Sequence, residues 1–90
     1  MANTGGGDIV LAAEGAAVTD DLTIAADITA SGGDGSVSLF AGDDIAQNSG
    51  TISAAGAGTV KLSAGDNHNG GVNQTGNAGG SVTLAGTVTS

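Results

Sequence analysis

Apolar and polar positions alternate along this chain in short runs, and the runs resemble one another. Gly35-Ser36-Val37-Ser38-Leu39-Phe40-Ala41-Gly42 is followed by Gly58-Thr59-Val60-Lys61-Leu62-Ser63-Ala64-Gly65 and by Gly80-Ser81-Val82-Thr83-Leu84-Ala85-Gly86. Gly7-Asp8-Ile9-Val10-Leu11-Ala12-Ala13 is a fourth, looser copy. Each sets a glycine and a small or polar residue ahead of a β-branched residue, with a leucine two places further on. The β-branched position falls at 9, 37, 60 and 82, at spacings of 28, 23 and 22 residues. Alternation at period two predicts strands, and self-similarity at such a period predicts a repeat architecture.

Shorter arms fill the intervals. Leu22-Thr23-Ile24, Asp27-Ile28-Thr29-Ala30, Ile45-Ala46-Gln47, Thr51-Ile52-Ser53-Ala54 and Thr87-Val88-Thr89 each read as brief strands. Gly42-Asp43-Asp44 and Asn48-Ser49-Gly50 read as turns, because Gly, Asn, Asp and Ser favour them. Residues 1–7 read as turn material, and Val72-Asn73-Gln74 reads as a displaced equivalent of Ile45-Ala46-Gln47. Three arms and three turns in 23 residues predict one triangular coil. The expected fold is therefore all-β, a parallel β-solenoid with coils of 22 to 28 residues. Residues 1–90 would form a single segment of three to four coils with uncapped ends. Stacking at ~4.8 Å per coil places like on like inside it. One inward core ladder is Ile9, Val37, Val60 and Val82. The next is Leu11, Leu39, Leu62 and Leu84, and a third is Ala13, Ala41 and Ala64, ending at Gly86.

Composition narrows the alternatives. Glycine is 18 of 90 residues, with one phenylalanine and no tryptophan, tyrosine or cysteine. Each interior glycine weakens a helix by roughly 1 kcal/mol relative to alanine, so helices are disfavoured. The net charge is −8, and Lys61 is the sole basic residue. Phosphate backbones are bound by clusters of Lys and Arg, so nucleic acid and anionic membranes are not expected as partners. No stretch approaches the ~20 apolar residues of a membrane span. Residues 1–20 lack the basic start and apolar run of a signal peptide. A Met1-Ala2 start running directly into repeat-like sequence reads as an excised segment or a small subunit.

The ends of the repeat suggest a partner. Gly86-Thr87-Val88-Thr89-Ser90 followed by Met1-Ala2-Asn3-Thr4-Gly5-Gly6-Gly7-Asp8-Ile9 of a second copy resembles Gly50-Thr51-Ile52-Ser53-Ala54-Ala55-Gly56-Ala57-Gly58-Thr59-Val60. Strand, glycine turn and strand resume across the junction. Exposed strand edges template addition, and a head-to-tail contact that does not close gives a filament. The expected partner is the chain itself.

Leu22-Thr23-Ile24, Gly35-Ser36-Val37-Ser38-Leu39, Asp44-Ile45-Ala46-Gln47, Ser49-Gly50-Thr51-Ile52-Ser53-Ala54 and Gly58-Thr59-Val60-Lys61-Leu62 together resemble the degenerate repeats of filamentous-haemagglutinin-like adhesins. That resemblance spans nearly the whole chain. It implies a right-handed β-helix, a place on the outside or cell surface of a bacterium, and a shaft role with no catalytic or cofactor-binding residues to carry over.

Candidate chemistry is sparse. Asp20, Asp21, Asp43, Asp44 and Asp66 could form a carboxylate column for Ca²⁺, which takes oxygen ligands in flexible number. The alternative for these aspartates is solvated turns. The runner-up function is thus a surface binding module for Ca²⁺ or glycan. His68 is the single histidine and reads as a loop residue. No catalytic constellation and no cofactor site are expected. Val10 and Phe40 are predicted to point outward and could mark a lateral contact between copies.

Overall fold

The computed structural model describes residues 1–13, 20–65 and 80–90. Ten strands make up the secondary structure of the described residues, with no helix among them. They are β1 (Ala2–Asn3), β2 (Ile9–Ala13), β3 (Leu22–Ile24), β4 (Ile28–Ala30), β5 (Val37–Ala41), β6 (Ile45–Gln47), β7 (Thr51–Ala54), β8 (Val60–Ala64), β9 (Val82–Leu84) and β10 (Thr87–Thr89). All pairings are parallel and build three sheets. Sheet A has the order β1-β4-β7-β10, sheet B β2-β5-β8, and sheet C β3-β6-β9. The chain visits the sheets in rotation. Each round takes one strand in B, one in C and one in A, and β1 precedes the first round.

Register follows the alternation. Ile9, Val37 and Val60 lie side by side in sheet B, as do Leu11, Leu39 and Leu62, and Ala13, Ala41 and Ala64. In sheet A, Ile28 lies beside Ile52 and Ile52 beside Val88. These columns meet in one apolar core, which joins Ile9, Ile24, Ile28, Val37, Leu39, Ile45 and Ile52. The middle round is sealed: Val37, Leu39, Ala41, Ile45 and Ile52 expose nothing to solvent. Leu11, Leu22, Val60 and Leu62 in the outer rounds are only partly buried. A flat strand is covered by its neighbours on either side, and β2, β3, β8, β9 and β10 each have a described neighbour on one side only, although Ile9 and Ile24 of the first round are still buried.

Two expectations are corrected here. Val82 and Leu84 do not continue the sheet B ladders. They belong to sheet C, with Val82 beside Ile45 and Leu84 beside Gln47. The reason is the distance to the next strand. Links from sheet C to sheet A are short in every round (25–27, 48–50 and 85–86), and β10 is held beside β7 by the Thr87–Thr51 register. A strand ending at Leu84 therefore has to lie in sheet C. The place beside β6 is taken by β9, and Val72–Gln74 lie outside the described residues. Residues 1–7 are also more than a turn. Ala2 and Asn3 pair with Thr29 and Ala30, with the Thr29 amide donating to the Met1 carbonyl at 2.9 Å and the Ser31 amide to the Asn3 carbonyl at 2.8 Å.

Glycines stand where rounds approach most closely. Gly7, Gly35 and Gly58 each sit two residues before a sheet B strand. A Cβ on Gly35 would overlap the Gly7 carbonyl oxygen and lie 2.8 Å from the Gly7 carbonyl carbon. One on Gly58 would overlap the Gly35 carbonyl oxygen in the same way. Gly50, between β6 and β7, combines a tight approach to Ala26 with a φ of 86°. That is a backbone region β-carbon-bearing residues rarely adopt.

Candidate functional site

The sequence pointed to three places: the aspartates at the corners, the ends of the ladders, and Val10 with Phe40 on the outer face. At the corner entering sheet C, Asp20 and Asp21 precede β3, Asp43 and Asp44 precede β6, and Gly80 and Ser81 precede β9. Carboxylate oxygens of Asp21, Asp43 and Asp44 come within 4.8 Å of one another. Asp66 lies outside the described residues, so three of the five sequence candidates form the cluster. Asp20 lies close enough to act on Asp43 electrostatically.

Most of these carboxylates already have structural partners. Asp21 Oδ1 accepts from the Asp44 amide at 3.2 Å. Asp44 Oδ1 accepts from the Ser81 amide at 2.8 Å and from the Ser81 hydroxyl at 3.2 Å. The same device recurs at other corners. Asp8 Oδ1 accepts from the Ser36 amide at 2.8 Å, and Ser36 Oγ accepts from the Thr59 amide at 3.0 Å. Asp27 and Asp34 accept from the amides of Thr51 and Ala57, both at 2.8 Å. A turn leaves backbone N–H groups without a ladder partner, and such groups need acceptors. Here the side chain of one round supplies the acceptor for the next. The bonds run in one direction, from the amide of a later round to the carboxylate or hydroxyl of the earlier one.

Asp43 differs from its neighbours. Partial burial first, and then the like charges of Asp44, Asp21 and Asp20, raise its carboxyl above the ordinary carboxylate value. The folded chain therefore holds that proton more tightly than the unfolded one. Stability from this group is gained as pH falls from above the raised folded value to below the ordinary one, and it is absent at neutral pH. Asp43→Asn is expected to raise the melting temperature at neutral pH, with the advantage shrinking across that acid window and vanishing below it. Circular-dichroism melts of both proteins over the acid range check this; a variant that melts lower at neutral pH would show the charge to be useful.

The ends of the core are the second place. At the β9 edge, Val82 is 40% and Leu84 48% exposed. At the opposite end an open, mainly apolar hollow of about 180 Å³ is lined by Met1, Leu11, Leu22, Ile24 and Ile28 among others. No described strand lies beyond β2 and β3 on that side, or beyond β8, β9 and β10 on the other.

Of the two residues expected on the outer face, one is covered. Val10 is exposed at 53%, but Phe40 is only 5% exposed. Phe40 is buried outside the main core cluster, with the Lys61 ammonium 5.1 Å from its ring centroid, within cation–π range. A strand's outward face becomes buried when long side chains lie across it, and alternation alone cannot report that. Sequence reasoning also missed Gln47, which is fully buried. Its Nε2 donates to the carbonyls of Gly50 and Thr87, both at 3.0 Å, tying one round to the next. Its Oε1 has no partner among the described residues. The available signal was its place two residues after Ile45 on the same strand face. His68 lies outside the described residues. Comparison with protein-family models, curated protein sequences and solved structures finds no match to this chain.

Proposed function

We propose that this chain is a structural segment: a parallel, right-handed β-solenoid of the adhesin-shaft kind that associates with itself end to end and carries out no catalysis. One observation carries the reading. Strands pass in rotation through three parallel sheets in register, and the apolar columns reach both ends without a described strand over them. The handedness follows the strong preference of parallel crossovers for the right hand and the resemblance to haemagglutinin-like repeats. A bacterial cell-surface or extracellular place belongs to the same proposal. A shaft needs length and resistance to bending, and stacking identical rounds supplies both without a cleft.

The test is a concentration series followed by light scattering, with electron microscopy of the concentrated sample. The expected result is a mass that rises with concentration and rods with a ~4.8 Å axial repeat. A mass fixed at one chain over the whole series would remove the self-associating part of the proposal.

A second reading, a cation-binding surface module, has the Asp21, Asp43 and Asp44 cluster in its favour. It separates cleanly from the first. Under the structural reading Ca²⁺ moves the melting temperature no more than Na⁺ at equal ionic strength. A Ca²⁺-specific rise that Asp43→Asn abolishes would support binding instead. Nothing among the described residues favours a glycan, since the one aromatic side chain is buried.

A further inference from the structure

Among the described residues sheet A has four strands where sheets B and C have three. This difference sets how a second copy can be added. Stack one copy on another so that β8 meets the next copy's β2 and β9 meets its β3. The columns then continue: Val60 comes onto Ile9, Leu62 onto Leu11, Val82 onto Leu22 and Leu84 onto Ile24. In sheet A, however, β10 of the first copy and β1 of the second then fall on the same rung, both beside β4. Moving the copies apart by one rung relieves the collision. It also leaves β8 and β9 facing β2 and β3 across a gap of ~9.6 Å, two strand spacings, with Val82 and Leu84 still uncovered.

Resting on the end-to-end reading above, we propose that β1 is a displaceable end strand. The partner is a second copy of this chain, and its β10 takes the place of β1 on β4. The register makes the two strands interchangeable. Val88 and Ile28 both lie beside Ile52 in sheet A, and Thr89 and Thr29 both lie beside Ser53. Ala2 pairs with Thr29, so Met1 stands where Val88 of an incoming copy would stand, and Asn3 where Ser90 would. The Met1 and Asn3 carbonyls that now accept from Thr29 and Ser31 would be replaced by those of Val88 and Ser90. The exchange conserves these bonds, and the gain comes from the newly closed edges of sheets B and C.

The junction continues the contact that already joins one round to the next. Within the chain the column Asp21, Asp44, Ser81 ends in a hydroxyl, as does the column Asp8, Ser36, Thr59. At the junction Ser81 meets Asp21 of the second copy and Thr59 meets its Asp8. Each hydroxyl can accept the amide of the aspartate above it, as Ser36 already accepts from Thr59. Among the described residues these columns set no carboxylate against a carboxylate, which matters for a chain of net charge −8. Freed from β4, residues 1–7 become the glycine-rich turn that their sequence suggests.

The chain contains no cysteine, so paired cysteines read the junction directly in the full 90-residue protein. Thr29 and Thr89 flank Ser53 within one copy, two spacings or ~9.6 Å apart, beyond disulfide reach of about 7 Å. A disulfide in T29C/T89C therefore forms only between copies. The expected result is a ladder of oxidised oligomers for T29C/T89C and several-fold less for A2C/T89C, which reports β10 lying on an undisplaced β1. Deleting residues 1–4 should lower the concentration needed for association several-fold by light scattering. Ladders from A2C/T89C alone, or a deletion that leaves association unchanged, overturn the displacement while the end-to-end reading stands. No ladder from either pair in a chain that light scattering shows to be monomeric at every concentration overturns both. No ladder in a chain that does associate places the contact on another face and overturns this register.

Discussion

Leu39→Ala is expected to lower the unfolding free energy by about 2–5 kcal/mol. Leu39 is at the centre of the sealed round, with no solvent exposure. Leu11 and Leu62 flank it in sheet B, so the cavity left by truncation is bounded by strands on both sides and by the columns of sheets A and C. A flat strand fixed by two ladders cannot collapse inward to fill it. Leu62→Ala, in the same column but partly buried, should cost distinctly less, and Val10→Ala, on the outer face, little more than about 0.5 kcal/mol. Denaturant curves followed by far-ultraviolet circular dichroism measure the series, since the chain has no tryptophan or tyrosine to report by fluorescence. Equal losses at Leu39 and Leu62 would mean that the end rounds are as well covered as the middle one and that the ends are not open.

The second large effect is expected at Gly35. Its substitution by alanine adds one methyl group, but that group would overlap the Gly7 carbonyl oxygen and sit 3.1 Å from the Gly6 carbonyl oxygen. Both are backbone atoms and cannot rotate away. The first and second rounds would have to part where the Ile9 amide donates to the Ser36 carbonyl at 2.8 Å and the Ser36 amide to Asp8. Overpacking of this kind costs typically 1–3 kcal/mol, and a rigid backbone neighbour puts Gly35→Ala at the upper end, about 3 kcal/mol. Gly5→Ala is the control. An added Cβ there meets only the end of the Asn3 side chain at 3.6 Å, and the expected change is within about 0.5 kcal/mol. Unfolding midpoints for the two variants decide the matter; an unperturbed Gly35→Ala would show that the rounds can move apart freely.

These expectations share a physical basis with the association proposal. Burial here depends on position along the stack as well as on residue type. Valine and leucine are fully covered at 37 and 39 and substantially exposed at 82 and 84. Whatever covers the ends therefore recovers stability that the isolated rounds lack. The cover we propose is a second copy.

Much of the architecture was legible from local pattern. Val37-Ser38-Leu39 and Val60-Lys61-Leu62 alternate with the same phase, carry the same glycine two residues ahead, and are neighbours in sheet B. Thr51-Ile52-Ser53 and Thr87-Val88-Thr89 match in the same way and are neighbours in sheet A. The errors arose where local pattern is degenerate. Gly80-Ser81-Val82-Thr83-Leu84 fits a sheet B strand as well as Gly58-Thr59-Val60-Lys61-Leu62 does, because either sheet asks only for alternate apolar residues behind a glycine. The short link from Leu84 to Thr87 was the available clue, since only sheet C is that close to sheet A. Asp21 and Asp44 were recognisable as turn residues, but the amides they serve lie 23 and 37 residues along the chain. Neither distance is visible without the stacking.

The sequence by itself determined the strands, the glycine corners and the parallel matching of like with like, because each depends on a few adjacent residues and a short repeat. Only the tertiary structure decided which sheet received Val82 and Leu84, that Phe40 is covered while Val10 is not, and that Ala2 and Asn3 form a tenth strand. Those outcomes depend on how much chain separates one strand from the next and on what lies across a face. Both are properties of the assembled stack and of no single segment.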